Sequence, residues 1–178
     1  MGFFTRKTPE EKEKIKQEKA LKYEASLSFC GETLQVIGKI PVGKCVELKL
    51  KPNEQVLNIH HDKIDITLPY DRIVSFRLEN EVTLAKSGSG LGGALVGGAL
   101  FGVGGAIVGQ NSKKGKTKVK WIATLVYNDK DGITKELNFI QWAGFGYYEG
   151  DSKTFGAGQF ESKLNEIAGR YGDDITEL

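Results

Sequence analysis

Hydrophobic and polar residues alternate in short runs along much of this chain. The clearest run is KCVELKLK at 44–51, in which every second residue from Val46 to Leu50 is hydrophobic. Such alternation between turn residues is typical of antiparallel strands that bury one face. The pattern predicts strands at 27–29, 33–37, 44–51, 55–59, 63–68, 73–79, 82–86, 117–129 and 133–142.

A polar segment near the N-terminus has the signals of a helix. Thr8 is a suitable N-cap, Pro9 suits the first turn, and Glu11 completes a capping box. The helix is expected to run to about Ala25 and to be solvent-exposed, because it has only a thin apolar stripe. Two ion pairs four residues apart are expected to support it: Glu10–Lys14 and Glu18–Lys22.

A second helix is predicted at 159–171, and this one is amphipathic. Its apolar side is formed by Phe160, Leu164, Ile167 and Ala168. The connection before it contains aromatic residues that either line a ligand or partner surface or pack beneath the helix: Phe145, Tyr147, Tyr148 and Phe155. Strands closed by one helix indicate an α+β fold, a small antiparallel barrel or half-barrel with an N-terminal helical arm.

Between two predicted strands lies a glycine-rich segment at 88–109, GSGLGGALVGGALFGVGGAIVG. Ten of its 22 residues are Gly, and almost all the others are apolar. Loops are normally polar and glycine is entropically costly to order, so this composition predicts close packing against something apolar. That surface is lipid, another copy of the segment, or the barrel of the same chain; a flexible loop is the remaining alternative.

Glycines at four-residue spacing let helix backbones approach closely. We expect a helical hairpin with arms at 88–101 and 105–110 that turns at 102–104. A single transmembrane span fits the length, but it would place two parts of one sheet on opposite sides of the membrane. The residues predicted to contact a membrane or a second copy are Gly88, Gly92, Gly93, Gly97, Gly98, Gly102, Gly105, Gly109, Leu95, Leu100, Phe101 and Ile107.

Charge is unevenly distributed along the chain. The net charge is only +2, so no nucleic-acid partner is expected. Residues 86–128 nevertheless contain six lysines and no acid, whereas from Asp129 onward acids outnumber bases by about two to one. A basic flank beside an apolar segment suits an anionic membrane surface. That flank consists of Lys86, Lys113, Lys114, Lys116, Lys118 and Lys120.

These patterns divide the chain into a helical arm at 1–26, a β domain at 27–171 with an insertion at 87–112, and an acidic tail at 172–178. The N-terminus lacks the apolar core of a secretory signal. The two cysteines, Cys30 and Cys45, are too few for a disulfide framework. We therefore expect a cytoplasmic protein with reduced, mostly buried thiols, whose membrane attachment would be peripheral, on the inner face of the cell membrane.

Three motifs suggest chemistry, but a structural interpretation is stronger for each. Gly88-x-Gly90-x-x-Gly93 matches a dinucleotide fingerprint, but such a match is common in a glycine-rich segment and no helix–strand alternation surrounds it. Residues 110–117 resemble a P-loop, but a strand rather than a helix follows. His60-His61-Asp62 is expected to be a surface turn, because adjacent residues point apart. We expect no catalytic residue, no metal and no cofactor.

The order of elements resembles that of bacterial pleckstrin-homology-like domains. The strands, the LPYDRI turn at 68–73, the later strands and the closing helix all contribute to this likeness. The segment GGALVGGALFGVGGAIVG with its lysines is similar to the glycine-zipper insertion in a group of small proteins of Gram-positive bacteria and their phages. The resemblance covers about residues 34–171. It implies a pleckstrin-homology-like fold without catalysis and without a defined ligand.

Eukaryotic pleckstrin-homology domains bind inositol phosphates through basic residues around their first hairpin. Here that hairpin offers only Lys49 and Lys51, with Glu54 opposing, so the site is not transferred.

The favoured hypothesis is a non-enzymatic binding or scaffold module that associates with an anionic membrane surface, or with itself as a homo-oligomer, through the glycine hairpin. The alternative is a soluble, oligomeric protein in which the glycine element is the assembly core. Such a protein would have a regulatory role or bind an unidentified host protein, and in the latter case a phage could encode it. A third and weaker hypothesis is a nucleotide-binding enzyme that uses the turn at 110–117.

Overall fold

A computed structural model of the protein describes residues 8–80, 120–143, 146–147, 149–150 and 152–172. The predicted strand at 82–86 and the predicted glycine hairpin at 88–110 lie outside the described residues. The elements in chain order are α1 (Pro9–Ser26), β1 (Ser28–Thr33), β2 (Cys45–Lys51), β3 (Val56–His61), β4 (Ile64–Pro69), a 3-10 turn (Tyr70–Arg72), β5 (Ile73–Asn80), β6 (Trp121–Asn128), β7 (Thr134–Ala143), β8 (Gly146–Tyr147) and α2 (Phe155–Gly172).

Strands β1 to β7 form one open antiparallel sheet in the order β4-β3-β2-β1-β7-β6-β5, and the short β8 pairs with the end of β7. Strands β4 and β5 are therefore its two edges. The predicted α+β class is confirmed, and the architecture is consistent with a small half-barrel.

The hydrophobic core lies on one face of this sheet. It is a single cluster of side chains from β1 to β7 and α2. At its centre the ring centroids of Phe29 and Phe76 are 5.5 Å apart, and those of Phe76 and Phe160 are 5.3 Å apart. Both pairs meet edge to face, an arrangement that aromatic rings favour. In β2 the predicted alternation is confirmed, since Val46, Leu48 and Leu50 are all buried on this face.

Helix α2 begins at Phe155, earlier than the predicted Gln159, and its predicted apolar side is buried in the core. The helix also covers the free edge of β5. The Asn165 side chain accepts a hydrogen bond from the Phe76 backbone N–H and donates one to the Phe76 carbonyl, both at 2.8 Å. Glu161 accepts one from the Leu78 N–H at 2.9 Å. These side chains thus occupy backbone groups that an open sheet edge would otherwise present for pairing.

Helix α1 begins as predicted. The Thr8 hydroxyl accepts a hydrogen bond from the Glu11 N–H at 3.2 Å, and the Glu11 carboxylate accepts one from the Thr8 N–H at 2.9 Å. The Glu18–Lys22 ion pair forms at 3.0 Å, whereas no Glu10–Lys14 pair is found within the described residues. The helix is solvent-exposed along most of its length, as expected, but Glu24 is buried.

Two boundary predictions were wrong. Strand β1 ends at Thr33, and the segment predicted as a strand at 33–37 enters a turn in which the Thr33 hydroxyl donates to the Pro41 carbonyl at 2.8 Å. His60 and His61 lie in β3 rather than in a turn. The turn comes after them, where Asp62 adopts a left-handed backbone conformation with φ of 50°.

Candidate functional site

The structure locates the point at which residues 81–119 are inserted into the fold. Asn80, the last residue of β5, pairs with Trp121, the first residue of β6, on the neighbouring strand. Lys120 forms a backbone bridge with Glu149. The two ends of the insertion therefore lie side by side at one end of the sheet. The predicted association residues from Gly88 to Gly109, and the predicted basic flank other than Lys120, lie outside the described residues.

Strands β6 and β7 are buried on both faces, not on one as alternation predicted. The register places Ile122 of β6 beside Ile140 of β7 on the face opposite the core. Their exposed fractions are only 1% and 4%. An antiparallel sheet that is solvated on one side would leave these side chains open to water. The unbroken apolar run WIATLVY at 121–127 is the sequence signal that could have predicted this second buried face.

The two isoleucines are flanked by acids in the same cross-strand row. Glu79 of β5 is the register partner of Ile122, and Glu32 of β1 is the register partner of Ile140. The row Glu79–Ile122–Ile140–Glu32 thus crosses four adjacent strands, and we refer to it as the isoleucine row. It lies next to Asn80 and Trp121, where the insertion leaves and re-enters the sheet.

Further along the same face the cover is formed by polar side chains. The Thr124 hydroxyl donates to the Asn138 amide oxygen at 2.8 Å. An ion pair at 3.9 Å joins Arg77 on β5 to Glu136 on β7, and it therefore passes over β6 between them. Buried polar groups are tolerated where they are paired in this way. This part of the face is satisfied by described residues, in contrast to the isoleucine row.

A cavity of about 250 Å³ opens between the β4 edge and the β6–β7 hairpin. Its walls include Ile59, Ile66 and Leu137, and Arg72 and Lys130 lie among its polar lining residues. Such a pocket, apolar with a few polar groups, has the general character of a small-ligand site, although its volume is below the usual range of about 300–1,000 Å³. Sequence patterns did not predict it, because its residues come from separate elements.

A buried polar cluster fastens α1 to the rest of the fold. The Tyr70 hydroxyl donates to the Glu24 carboxylate at 3.1 Å, and the Lys163 ammonium lies 3.4 Å from the same carboxylate. Burial of the phenol, followed by the negative charge of Glu24, raises the pKa of Tyr70 above its usual value. A carboxylate is buried at low cost only where it is paired. No sequence pattern indicated this cluster, because its members are far apart in the chain.

The two cysteines are free and exposed, so the prediction that they are mostly buried was wrong. They lie on the face of β1 and β2 that is opposite the core. Partial burial is the main cause that raises the pKa of both thiols, and the negative charge of Glu47 raises both pKa values further. A raised thiol pKa lowers the thiolate fraction at neutral pH, and thiolate is the reactive form.

The adjacent histidines have separate partners. His60 Nδ1 lies 3.0 Å from the Asp65 carboxylate, and His61 Nδ1 lies 2.8 Å from the Cys45 carbonyl oxygen. Within the described ranges no group of three or more His, Cys, Asp or Glu side chains is placed to hold a metal ion. The dinucleotide-like and P-loop-like motifs lie outside the described residues.

Of the four aromatic residues that were predicted to lie in the connection, Phe155 is the first residue of α2 and is 82% exposed, so for this residue the alternative of packing beneath the helix is wrong. The side chains of Phe145, Tyr147 and Tyr148 are outside the described part of the chain. In that described part, no helix is both long and apolar enough to cross a bilayer.

Comparison of the chain with protein-family models, with curated proteins and with solved structures gives no match.

Proposed function

We propose that the protein is a non-enzymatic binding or scaffold module that associates with an anionic membrane surface, or with copies of itself, through segment 88–109. The observation that supports this proposal is the pairing of Asn80 with Trp121 on adjacent strands. A single membrane crossing by the insertion would pull these two paired residues to opposite sides of the bilayer. A hairpin that enters and leaves from one side keeps the sheet intact.

The charge pattern favours a membrane as the first partner to test. Because both ends of the insertion start from neighbouring positions, Lys86 and the lysines at 113–120 are attached to the same end of the sheet. Each lysine near an anionic bilayer contributes about 1 kcal/mol to the free energy of membrane binding. At 0.1 M ionic strength, salt largely screens this attraction at distances beyond about 10 Å.

The finer assignment of the fold is part of the same proposal. Seven antiparallel strands and a helix that closes over β5 and β1 support the resemblance to pleckstrin-homology-like domains. In this interpretation the half-barrel is a scaffold and the inserted glycine segment is the associating element. The buried polar groups around Glu24 and Asn138 already have hydrogen-bond partners within the fold, as expected for structural rather than catalytic groups.

Cosedimentation with vesicles tests the proposal. The full chain and a chain lacking residues 88–109 are mixed with vesicles of anionic phospholipid or of neutral phosphatidylcholine, at low and at high salt. We expect the full chain to pellet with anionic vesicles, less so at high salt, and the deleted chain to stay in the supernatant. A matched control replaces four lysines of α1, Lys12, Lys14, Lys16 and Lys19, by glutamine, and it should pellet like the full chain.

Light scattering of the same two chains without lipid separates self-association from membrane binding. A discrete oligomer that becomes a monomer on deletion, without vesicle binding, supports the self-associating form and the soluble alternative. If the full and deleted chains have the same mass and partition equally to vesicles, segment 88–109 is not the associating element and the proposal fails.

A further inference from the structure

The isoleucine row on the outer face of the sheet has the properties of a docking surface. Ile122 and Ile140 expose 1% and 4% of their area, although they point away from the core. Helix α1 packs on β2, and helix α2 packs on β5, on β1 and on the 3-10 turn. The Arg77–Glu136 ion pair crosses β6 at Thr124 and Val126, not at Ile122. None of these described elements lies over Ile122 and Ile140, so the near-complete burial of these two side chains points to another cover.

We infer that the cover is the chain's own glycine-rich segment, 88–109, docked on the isoleucine row in the same molecule. This inference concerns the chain's own sheet and does not depend on whether the segment also reaches a membrane or a second copy.

Position favours this occupant over any other. The insertion leaves the sheet directly after Asn80 and returns at Lys120, and the row lies at that end of the sheet. Residues 81–87 and 110–119 are connectors long enough to bring the segment over two neighbouring strands, which are spaced only about 5 Å apart. A covering segment tethered at both ends has a high effective concentration, which a separate partner lacks.

Chemistry favours the same occupant. A pair of isoleucines offers an apolar contact, and glycines in the segment would let its backbone approach that contact closely. The acids Glu79 and Glu32 flank the pair, and from Lys86 to Lys118 the insertion contains five lysines and no acid. The apolar pair with its acidic rim on the sheet thus matches the apolar segment with the lysines that flank it, and such complementarity fixes the register of a contact.

Thiol labelling at the row tests the inference. The exposed Cys30 and Cys45 are first replaced by serine, and Ile140→Cys is introduced as the probe. The rate of reaction with a maleimide is measured in the full chain and in a chain that lacks 88–109. We expect slow labelling in the full chain and labelling at least tenfold faster after the deletion.

Two further probes make the result interpretable. Leu125→Cys lies on the neighbouring strand β6 and faces the core, so it should stay protected in both chains; fast labelling there would reveal a deletion that unfolds the sheet. Val74→Cys is exposed on β5 and should label equally fast in both. Glu79→Lys in the full chain should speed labelling of Ile140→Cys, whereas Glu13→Lys on α1 should not.

Equal protection of Ile140→Cys with and without the segment would overturn the inference, as would protection that disappears on dilution, since that would indicate a second copy as the cover. Vesicle cosedimentation is read separately. Protection that is lost on deletion, in a chain that neither binds vesicles nor self-associates, would support this inference while the proposed function failed. If Ile140→Cys is equally protected with and without the segment, while the full chain binds vesicles and the deleted chain does not, the proposed function stands and this inference fails.

Discussion

At the scale of single residues, the Tyr70 hydroxyl illustrates how one buried group links two distant parts of the chain. It donates to Glu24 of α1, and Lys163 of α2 lies beside the same carboxylate. Desolvation and the neighbouring negative charge both oppose ionisation of the phenol, which is why its pKa is raised. The native state therefore holds the phenol proton more tightly than the unfolded chain does.

This difference predicts a pH dependence of stability. Below about pH 10, the usual pKa of tyrosine, the phenol is protonated in both states and its contribution is fully present. Above that pH the unfolded chain releases the proton and the native state keeps it, so the free energy of unfolding falls as pH rises. We expect wild type to lose stability above about pH 10 more steeply than Tyr70→Phe, by up to about 1.4 kcal/mol per pH unit.

Urea unfolding at several pH values measures this slope, with Tyr23→Phe as the matched control because Tyr23 is half exposed. That control should keep the wild-type slope. Equal slopes for wild type and Tyr70→Phe would show that the Tyr70 phenol titrates normally in the native state.

At the scale of elements, glycines in α2 and β1 have opposite roles. A Cβ built at Gly169 in α2 meets no atom within 4 Å, whereas one at Gly31 in β1 would lie 2.8 Å from a Phe29 ring carbon and 2.9 Å from the Phe139 Cβ. We therefore expect Gly169→Ala to stabilise the protein by about 0.5–1 kcal/mol, since glycine is a poor helix former. Gly31→Ala should destabilise it by about 1–3 kcal/mol through overpacking.

Urea denaturation of the two variants beside wild type measures both effects, and the slope with denaturant should stay unchanged if the native and unfolded states keep their compactness. A neutral or stabilising Gly31→Ala would mean that the Phe29 and Phe139 rings relax easily, contrary to a closely packed sheet at this point.

Local sequence patterns predicted the elements whose causes are local. The capping box at Thr8 and the alternation in β2 depend on neighbours a few residues apart, and both were confirmed. The end of β1 was mispredicted because Thr33 turns to bond with Pro41 rather than continuing the apolar pattern at 34–37. The contact between Glu24 and Tyr70 was missed because it joins residues 46 positions apart.

At the scale of the whole molecule, the position of the insertion decides what the glycine segment can do. The prediction that the strands before and after the insertion belong to one sheet is confirmed by the pairing of β5 with β6. What alternation alone did not predict is the second buried face of β6 and β7, although the unbroken apolar run at 121–127 is a signal of it in β6. Burial on that face depends on what is packed against it, and periodicity along one strand reports only the strand's own alternation.

The same topology makes a last prediction about the membrane-bound form. In the background without Cys30 and Cys45, a single cysteine is placed at Lys86 or at Lys118, one on each side of the glycine segment. Chains that pellet with preformed anionic vesicles are then treated with a membrane-impermeant maleimide. Because Asn80 and Trp121 are paired neighbours, both flanks must stay on the side from which the protein was added.

We therefore expect the two cysteines to label to the same extent, with no increase when detergent opens the vesicles. A flank that labels only after detergent would indicate a single crossing. Such a crossing requires the β5–β6 pairing to break at Asn80 and Trp121, and the rest of the ladder down to Ile73 would be strained with it. The backbone groups freed near the bilayer would lack partners, each at a cost of several kcal/mol, which is why the hairpin arrangement is favoured.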